Sequence, residues 1–386
     1  MKRIHSIFAL IIMILLAWSP AYSQEWAITY GGNGSEGASS IQEISGGYIV
    51  AGWTGSFGAG GNDVWVLKLH SNGTIAWQKT YGRSGYDWTY SIKQTADGGY
   101  VVAGSSWSYD EGKYDFWVLK LDDSGDISWQ KTYGGSDDDH PMSIQQTVDA
   151  AGNPDGYIVA GYTSSFGAGS YDVWVLRLDT GGSVVWENVY GGSQYDTVSS
   201  IQQVFDENGL PDGYVMAGIT DSFGVGDYDI WVLKLLSGGT ISWQKTYGGL
   251  DDEGADSIRQ TFDGGGTPNG YIVAGGAWAD SESFGHVLWL NNDGSLVWQK
   301  GFGAWSFDTR YLVEQTDGGF IVAGGDDDAS QSDIWVAKLD SDGDIAWQNA
   351  YGGNDQDSFG SLKPTADGGY IVAGCTTSFG MGSADF

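Results

Sequence analysis

One phrase, read seven times along the chain, limits what the chain can fold into more than any other feature. A tryptophan heading WQKTYGG or a close variant stands at Trp26, Trp77, Trp129, Trp186, Trp243, Trp298 and Trp347, with successive spacings of 51, 52, 57, 57, 55 and 49 residues. Between these anchors SIQQT, GGYIVAG, SFGAG and DVWVLKLD recur in a fixed order. No stretch sustains a 3.6-residue period and glycine interrupts every segment, which excludes helical and leucine-rich solenoids. The repeat is also too long for the rung of a parallel β-helix.

Each phrase has a local physical meaning. SIQQT and GYIVAG are short β-favouring runs joined by Asp97-Gly98-Gly99 or Asp155-Gly156, residues that tolerate positive φ, so they read as a tight hairpin. In Asp63 to Leu69, Trp65, Leu67 and Leu69 face one side and Val64, Val66 and Lys68 the other, the mark of a strand covered on both faces. A turn at Ser71-Asn72-Gly73 leads into IAWQKTY, again alternating. Four strands per repeat is the dimension of a propeller blade. The longer spacings come from longer first hairpins, such as VDAAGNPDGY at residues 148 to 157. The predicted fold is therefore all-β, a seven-bladed β-propeller of four-stranded antiparallel blades over residues 25–386. Its last blade is expected to be incomplete. Trp26 to Tyr30 reads as a lone outer strand, and the last copy ends at Phe386, where the third strand should start. That arrangement predicts an open blade edge able to pair with a second copy, and a truncated reading frame.

The beginning of the chain reads as an export signal. Residues 1–23 combine Lys2 and Arg3, the apolar run FALIIMILLAW and the small residues of Ala21-Tyr22-Ser23, a pattern too short for a membrane span and suited to cleavage. The expected product is secreted, extracellular or held at the cell surface, with no membrane span. Cys375 is the lone cysteine, so no intramolecular disulfide forms and stability rests on packing. A formal net charge of −32, from 49 acidic against 17 basic residues, excludes ordinary nucleic-acid binding, because phosphates would be repelled. Hydrophobic residues at 41% are enough for a large core, so the acidity does not signify disorder.

The phrases GGYIVAG, DVWVLKLD, DxxGxIxW and WQKTYGG resemble a family of secreted or surface bacterial β-propeller repeat proteins, and more distantly the tryptophan-docking blades of quinoprotein-type propellers. The likeness covers residues 25 to 386 and implies a propeller without implying an activity. It departs from the quinoprotein pattern at the turn, where Asp122 precedes Gly125 by three residues rather than four, as Asp179 does Gly182 and Asp340 does Gly343.

Two sets of residues are candidates for function. Six positions after the aromatic of every YGG-like turn stands an acid: Glu36, Asp87, Asp139, Asp196, Glu253, Asp308 and Asp357. One reading has each carboxylate cap nearby backbone N–H groups; the other has the ring bind calcium or a cationic ligand, although the alternating DxDxDG loop is absent. Residues that break the repeat are the better candidates for a specific site. Trp53, Trp88, Trp107, Trp278 and Trp305 fall in loops expected on one face, and aromatic platforms beside carboxylates suit carbohydrate. Recurrent Lys68, Lys120, Arg177, Lys234 and Lys338 read as stems packed along the blade with heads paired to rim acids. His70, His140 and His286 stand at non-equivalent positions, and neither HExxH nor GxSxG occurs. The favoured expectation is a binding or surface-interaction module for an extracellular glycan or polymer. The alternatives are a propeller-face enzyme, a polysaccharide hydrolase or lyase ahead of a quinone-dependent dehydrogenase, and an architectural repeat of a larger surface protein.

Overall fold

The computed structural model describes residues 26–107, 113–279, 282–305, 310–325, 332–380 and 383–386. The expected signal segment and Asp308 lie outside the described residues. Strands form where the alternation predicts them. In the first blade β1 is Glu36–Ile44, β2 Gly47–Thr54, β3 Asp63–His70 and β4 Ile75–Tyr81, hydrogen-bonded in that order and antiparallel throughout. Gly46, at φ +82°, turns the first hairpin, a conformation that costs a glycine nothing. The same order repeats over 87–133, 139–190, 196–247, 252–305 and 312–351. First strands of successive blades pack on one another around the axis, so each blade runs from an inner first strand to an outer fourth.

Burial follows this radial order. Every residue of Asp115–Leu121, a third strand, is buried, whereas the outer strand Ile127–Tyr133 is exposed or half-buried throughout. The core lies between blades: Ile44, Val64 and Val66 of the first blade pack with Ile92, Tyr100, Val102 and Trp117 of the second in one cluster. Trp65, Trp117 and Trp231 are fully buried, and each such ring removes about 150–250 Å² from water. The anchor indoles do something different. Trp129 is half-buried, lies over Gly182 of the next blade and donates from Nε1 to the Thr180 carbonyl at 3.2 Å. Trp77 and Trp186 repeat this over Gly125 and Gly239, with donations to the carbonyls of Asp123 at 3.2 Å and Ser237 at 3.1 Å. Four residues after five of the anchors a tyrosine hydroxyl, from Tyr30, Tyr81, Tyr133, Tyr190 or Tyr247, donates to a glycine carbonyl of the same turn; Tyr81 reaches the Gly125 carbonyl at 2.6 Å.

The expectation of seven four-stranded blades is corrected by the strand pairing. The described residues build six four-stranded blades and a two-stranded piece, Asp357–Pro364 with Tyr370–Thr376. The cause lies in how little backbone is paired there. Trp26 to Tyr30 forms no strand: Tyr30 exchanges backbone hydrogen bonds with Phe386 at 2.7 and 3.0 Å. Asp385 occupies the third-strand position through one bridge to Thr376. Between these two contacts Trp26, Ile28, Ile371, Ala373 and Phe386 border an apolar groove of about 780 Å³. The piece is nonetheless tied to the first blade, since Ser361 Oγ accepts the Ile41 N–H at 3.2 Å and Glu43 Oε2 accepts the Ala366 N–H at 2.8 Å.

Candidate functional site

The described members of the acidic column are all buried: Glu36, Asp87, Asp139, Asp196, Glu253 and Asp357 are at most 7% exposed. Most of their oxygens face protein donors, Asp139 Oδ1 being a buried exception. Asp196 Oδ2 accepts the Gly192 N–H at 2.7 Å and the Ser222 hydroxyl at 2.6 Å, while Oδ1 accepts from Thr220. Glu36, Asp139 and Asp357 accept the N–H four residues earlier in the same way, at 3.0, 2.9 and 2.6 Å. Hydrogens aimed at the carboxylates suit the carboxylates themselves and not a cation sharing their oxygens. Among the described residues no group of three or more His, Cys, Asp and Glu is placed to hold a metal ion.

A second acidic column, Asp63, Asp115, Asp172 and Asp229 at the start of the third strands of the first four blades, lies beside the first. Asp63 and Asp87 flank Gly82 so closely that a methyl there would meet their oxygens at 2.2 and 2.4 Å. Gly191 sits likewise between Asp172 and Asp196, and Gly248 between Asp229 and Glu253. This is why the turn reads YGG. Burial, with the neighbouring carboxylate adding to it, raises Asp63, Asp172 and Glu253 above the usual carboxylate range.

The strand register places all five candidate tryptophans at one end of the blades. Glu36, Thr54 and Asp63 stand in one row across the first blade, with Trp53 adjacent; Asp87, Ser106 and Asp115 form that row in the second, with Trp88 and Trp107 adjacent. In the fifth blade Trp278 pairs with Asp252, and the backbone of Trp305 with Ser283. The rings of Trp53, Trp88, Trp107 and Trp278 fall into separate groups. Trp53 and Trp88 meet edge to face across two blades at 5.1 Å. Trp278 lies over Gly254 and Gly276 of its own blade. Trp107, 42% exposed, packs on Tyr86 at 6.2 Å and Tyr114 at 5.4 Å.

From Trp107 an aromatic arc continues that the repeat-breaking tryptophans alone do not disclose. Tyr114, His140, Tyr162, Tyr171, Tyr195 and Tyr228 follow at centroid separations of 5.1, 5.2, 5.3, 5.6 and 5.8 Å, across the second, third and fourth blades. All six are half-buried, each with part of its ring at the surface. Burial lowers His140 below its usual range, the nearby Asp138 and Asp139 opposing.

The arc meets the mouth of the central bore at Tyr90, whose hydroxyl is 3.5 Å from His140 Nδ1 and whose ring lies under Arg310 at 5.8 Å. The bore holds a space of about 70 Å³ and is lined by the first strands, including serines 40, 91, 143, 200 and 361. Its charged members are Lys93, Asp256, Arg259, Arg310 and Lys363. The first glutamine of SIQQT points across to the next blade where it is kept: Gln42, Gln145 and Gln202 accept the N–H groups of Gln94, Gln203 and Gln260 at 2.9, 2.8 and 3.0 Å. Lys93, Arg259, Glu314 and Lys363 replace it in the other copies. Arg259 donates to Glu314 Oε1 at 3.0 Å and to Ser200 Oγ at 3.2 Å, and Lys363 also pairs with Glu314. Burial alone would raise Glu314, yet Arg259, Lys363 and Lys93 together pull it down to about 2. The signal for this cluster was present in the sequence as breaks in a glutamine column, SIKQT, SIRQT, LVEQT and SLKPT, and the tryptophan count passes over it.

The recurrent third-strand cations end at the opposite rim: Lys120 pairs with Asp97 at 2.8 Å, Arg177 with Asp155 at 2.7 Å and Lys234 with Asp212 at 2.9 Å.

Neither a family model nor a curated protein matches the chain. Among solved structures, BBS1N in complex with ARL6DN is similar with a TM-score of 0.50 at 11% identity, over 89% of this chain and 93% of that one. Sqt1 from Chaetomium thermophilum gives 0.49 at 14%, over 89% and 80%. The β-propeller domain of the Trilobed protease from Pyrococcus furiosus gives 0.45 at 10%, over 90% of each chain. At such identities the likeness concerns the fold alone. By its own strand pairing the chain is an all-β propeller of four-stranded antiparallel blades.

Proposed function

We propose that the protein is a secreted binding or surface-interaction module that takes an extracellular glycan or similar polymer on the aromatic end of its blades. The observation behind this reading is the arc from Trp107 to Tyr228. Half-buried rings held by their neighbours present apolar area at little cost in side-chain entropy, and their hydroxyls add hydrogen-bonding partners. Sugar C–H groups pack on such rings while tyrosine hydroxyls and loop carbonyls meet the sugar hydroxyls. The arc spans three blades, a length suited to several sugar units and larger than one monosaccharide requires.

A glycan array probed with the mature protein tests the reading, repeated with Trp107→Ala and Tyr162→Ala. The expected result is a defined set of neutral glycans whose binding falls at least tenfold in both variants, which is about 1.4 kcal/mol. Stacking and hydrogen bonding should also survive a rise in salt that screens charge. No glycan signal above background, or binding unchanged in both variants, would favour an architectural role.

A further inference from the structure

We propose that the central bore is an anion site, which holds a compact oxyanion, a carboxylate, sulfate or phosphate group, between Lys93, Arg310 and the Arg259–Lys363 pair. The argument begins from charge balance. Glu314 is one negative charge facing three cations, Arg259, Lys363 and Lys93. Arg310 adds a fourth beside Asp256, the other acid of the cluster. An internal network built only for stability would balance its charges, because each unpaired buried ion costs several kcal/mol. Even without Lys93, whose charged form burial disfavours, the described cluster sets Arg259, Arg310 and Lys363 against Glu314 and Asp256, in a chain whose net charge is −32. The surplus converges on a space of about 70 Å³, room for a compact anion and too little for a larger molecule.

The lining supports the same chemistry. The hydroxyls of Ser91, Ser200 and Ser361 border the bore, while those of Ser40 and Ser143 donate to the Ile92 and Ile201 carbonyls; hydroxyls with guanidinium and ammonium groups form the donor set that oxyanions need. Arg310 is at the mouth, over the Tyr90 ring. Lys93, Arg259 and Lys363 lie on the first strands in the glutamine column, three residues beyond the Tyr90 level, or about 10 Å deeper at the rise of a strand. An acidic group entering past Tyr90 thus meets Arg310 first and the inner cations afterwards. Lys93 reports on occupancy. Burial, together with the like charges of Lys363 and Arg259, holds it well below the usual lysine range against the pull of Glu314. A bound anion would offset those like charges and draw a proton onto Lys93.

Titration calorimetry on the mature chain, with sulfate and phosphate as the free anions and glucuronate as the sugar-borne carboxylate, separates the sources. Chloride at matched ionic strength is the reference. Saturable binding of one anion per chain is expected. Lys93→Gln should weaken binding at least tenfold. Arg310→Gln, at the mouth and outside the Glu314 pairs, should weaken it severalfold. Preference for glucuronate over sulfate would identify an acidic sugar as the ligand; the reverse would identify an inorganic or sulfate-bearing one. Trp107→Ala should leave free-anion affinity unchanged, so failure of the glycan reading does not carry this one with it. Absence of saturable binding by all three anions, or equal affinity in wild type and both folded variants, would overturn the proposal.

Discussion

At Asp256 the fold half-buries a carboxylic acid in the lining of the bore, with the Tyr311 N–H at 3.1 Å as backbone donor and Arg310 as charge partner. Burial outweighs both and pushes the acid up to about 7. The sign follows from linkage: a raised folded-state value favours the fold fully below the unfolded value, near 3.8, and that advantage is lost as pH rises through 7. Asp256→Asn keeps an acceptor for Tyr311 and has no proton to lose. It should therefore stabilise the protein more at pH 8 than at pH 5, by about 2–3 kcal/mol in the difference. Urea unfolding at the two pH values measures it, and an equal shift at both would show that the acid is not held protonated. Asp256 also marks the limit of what could be read at this scale. The acidic column was visible as a column, and both of its readings were open until the Gly192 and Ser222 donors on Asp196 could be seen. Asp256 and Lys93 were legible only as breaks in otherwise polar columns, because what turns a lysine on a strand into a bore-lining cation is the position of six other strands.

Between strand and blade, the seam depends on where one glycine sits relative to the preceding blade's indole. Gly182 at φ +75° and Gly152 at φ +80° have nearly the same backbone. A methyl on Gly182 would meet the Trp129 ring at 2.9 Å, while one on Gly152 meets nothing within 4 Å. Both Ala substitutions bear the left-handed penalty of about 1–2 kcal/mol; Gly182→Ala alone must also displace the indole, for a further 1–3 kcal/mol. Thermal unfolding of the pair isolates the seam, and equal losses would mean that Trp129 moves aside freely. Strand positions and hairpins were readable from alternation and turn residues, since those are local properties. The aromatic arc was not, because Tyr114, Tyr195 and Tyr228 come from loops and Tyr162 from a strand end, over three blades, and they become neighbours only when the blades stack.

For the molecule as a whole, the number of complete blades was the part of the fold that repeats could not supply. Seven anchor tryptophans suggested seven sheets, but a sheet needs paired backbone, and Tyr30 meets Phe386 at a single residue pair. Charge acts over the same whole-molecule scale and sets the pH at which the ring is most stable. Asp63, Asp172, Asp229, Glu253 and Asp256 are raised by burial, so their contribution is full below the ordinary carboxylate range and declines as pH rises through their folded values. Glu314 is lowered by its cations, and Asp367 by the Thr365 hydroxyl and the Gly369 N–H; their contribution is full above that range and is lost as pH falls through their folded values. The two sets bracket a maximum on the acid side of neutral, opposed by His140 and His286, which burial holds below their usual range and which cost stability as pH falls through the unfolded imidazole value. Self-repulsion among the charges behind a formal −32 shifts stability the same way, since protonation on the acid side relieves it. Salt separates the two causes: screening weakens repulsion between exposed charges over a Debye length of about 8–10 Å but barely reaches buried carboxylates. Melting temperature measured from pH 3.5 to 8.5 should therefore peak on the acid side of neutral. At pH 7.5 added sodium chloride should raise it, and at pH 5 the gain should be smaller, with the peak retained in high salt. A melting temperature that climbs steadily to pH 8, or a peak that vanishes when salt is added, would assign the stability profile to surface repulsion or ion pairs instead of the buried acids of the YGG turns and the bore.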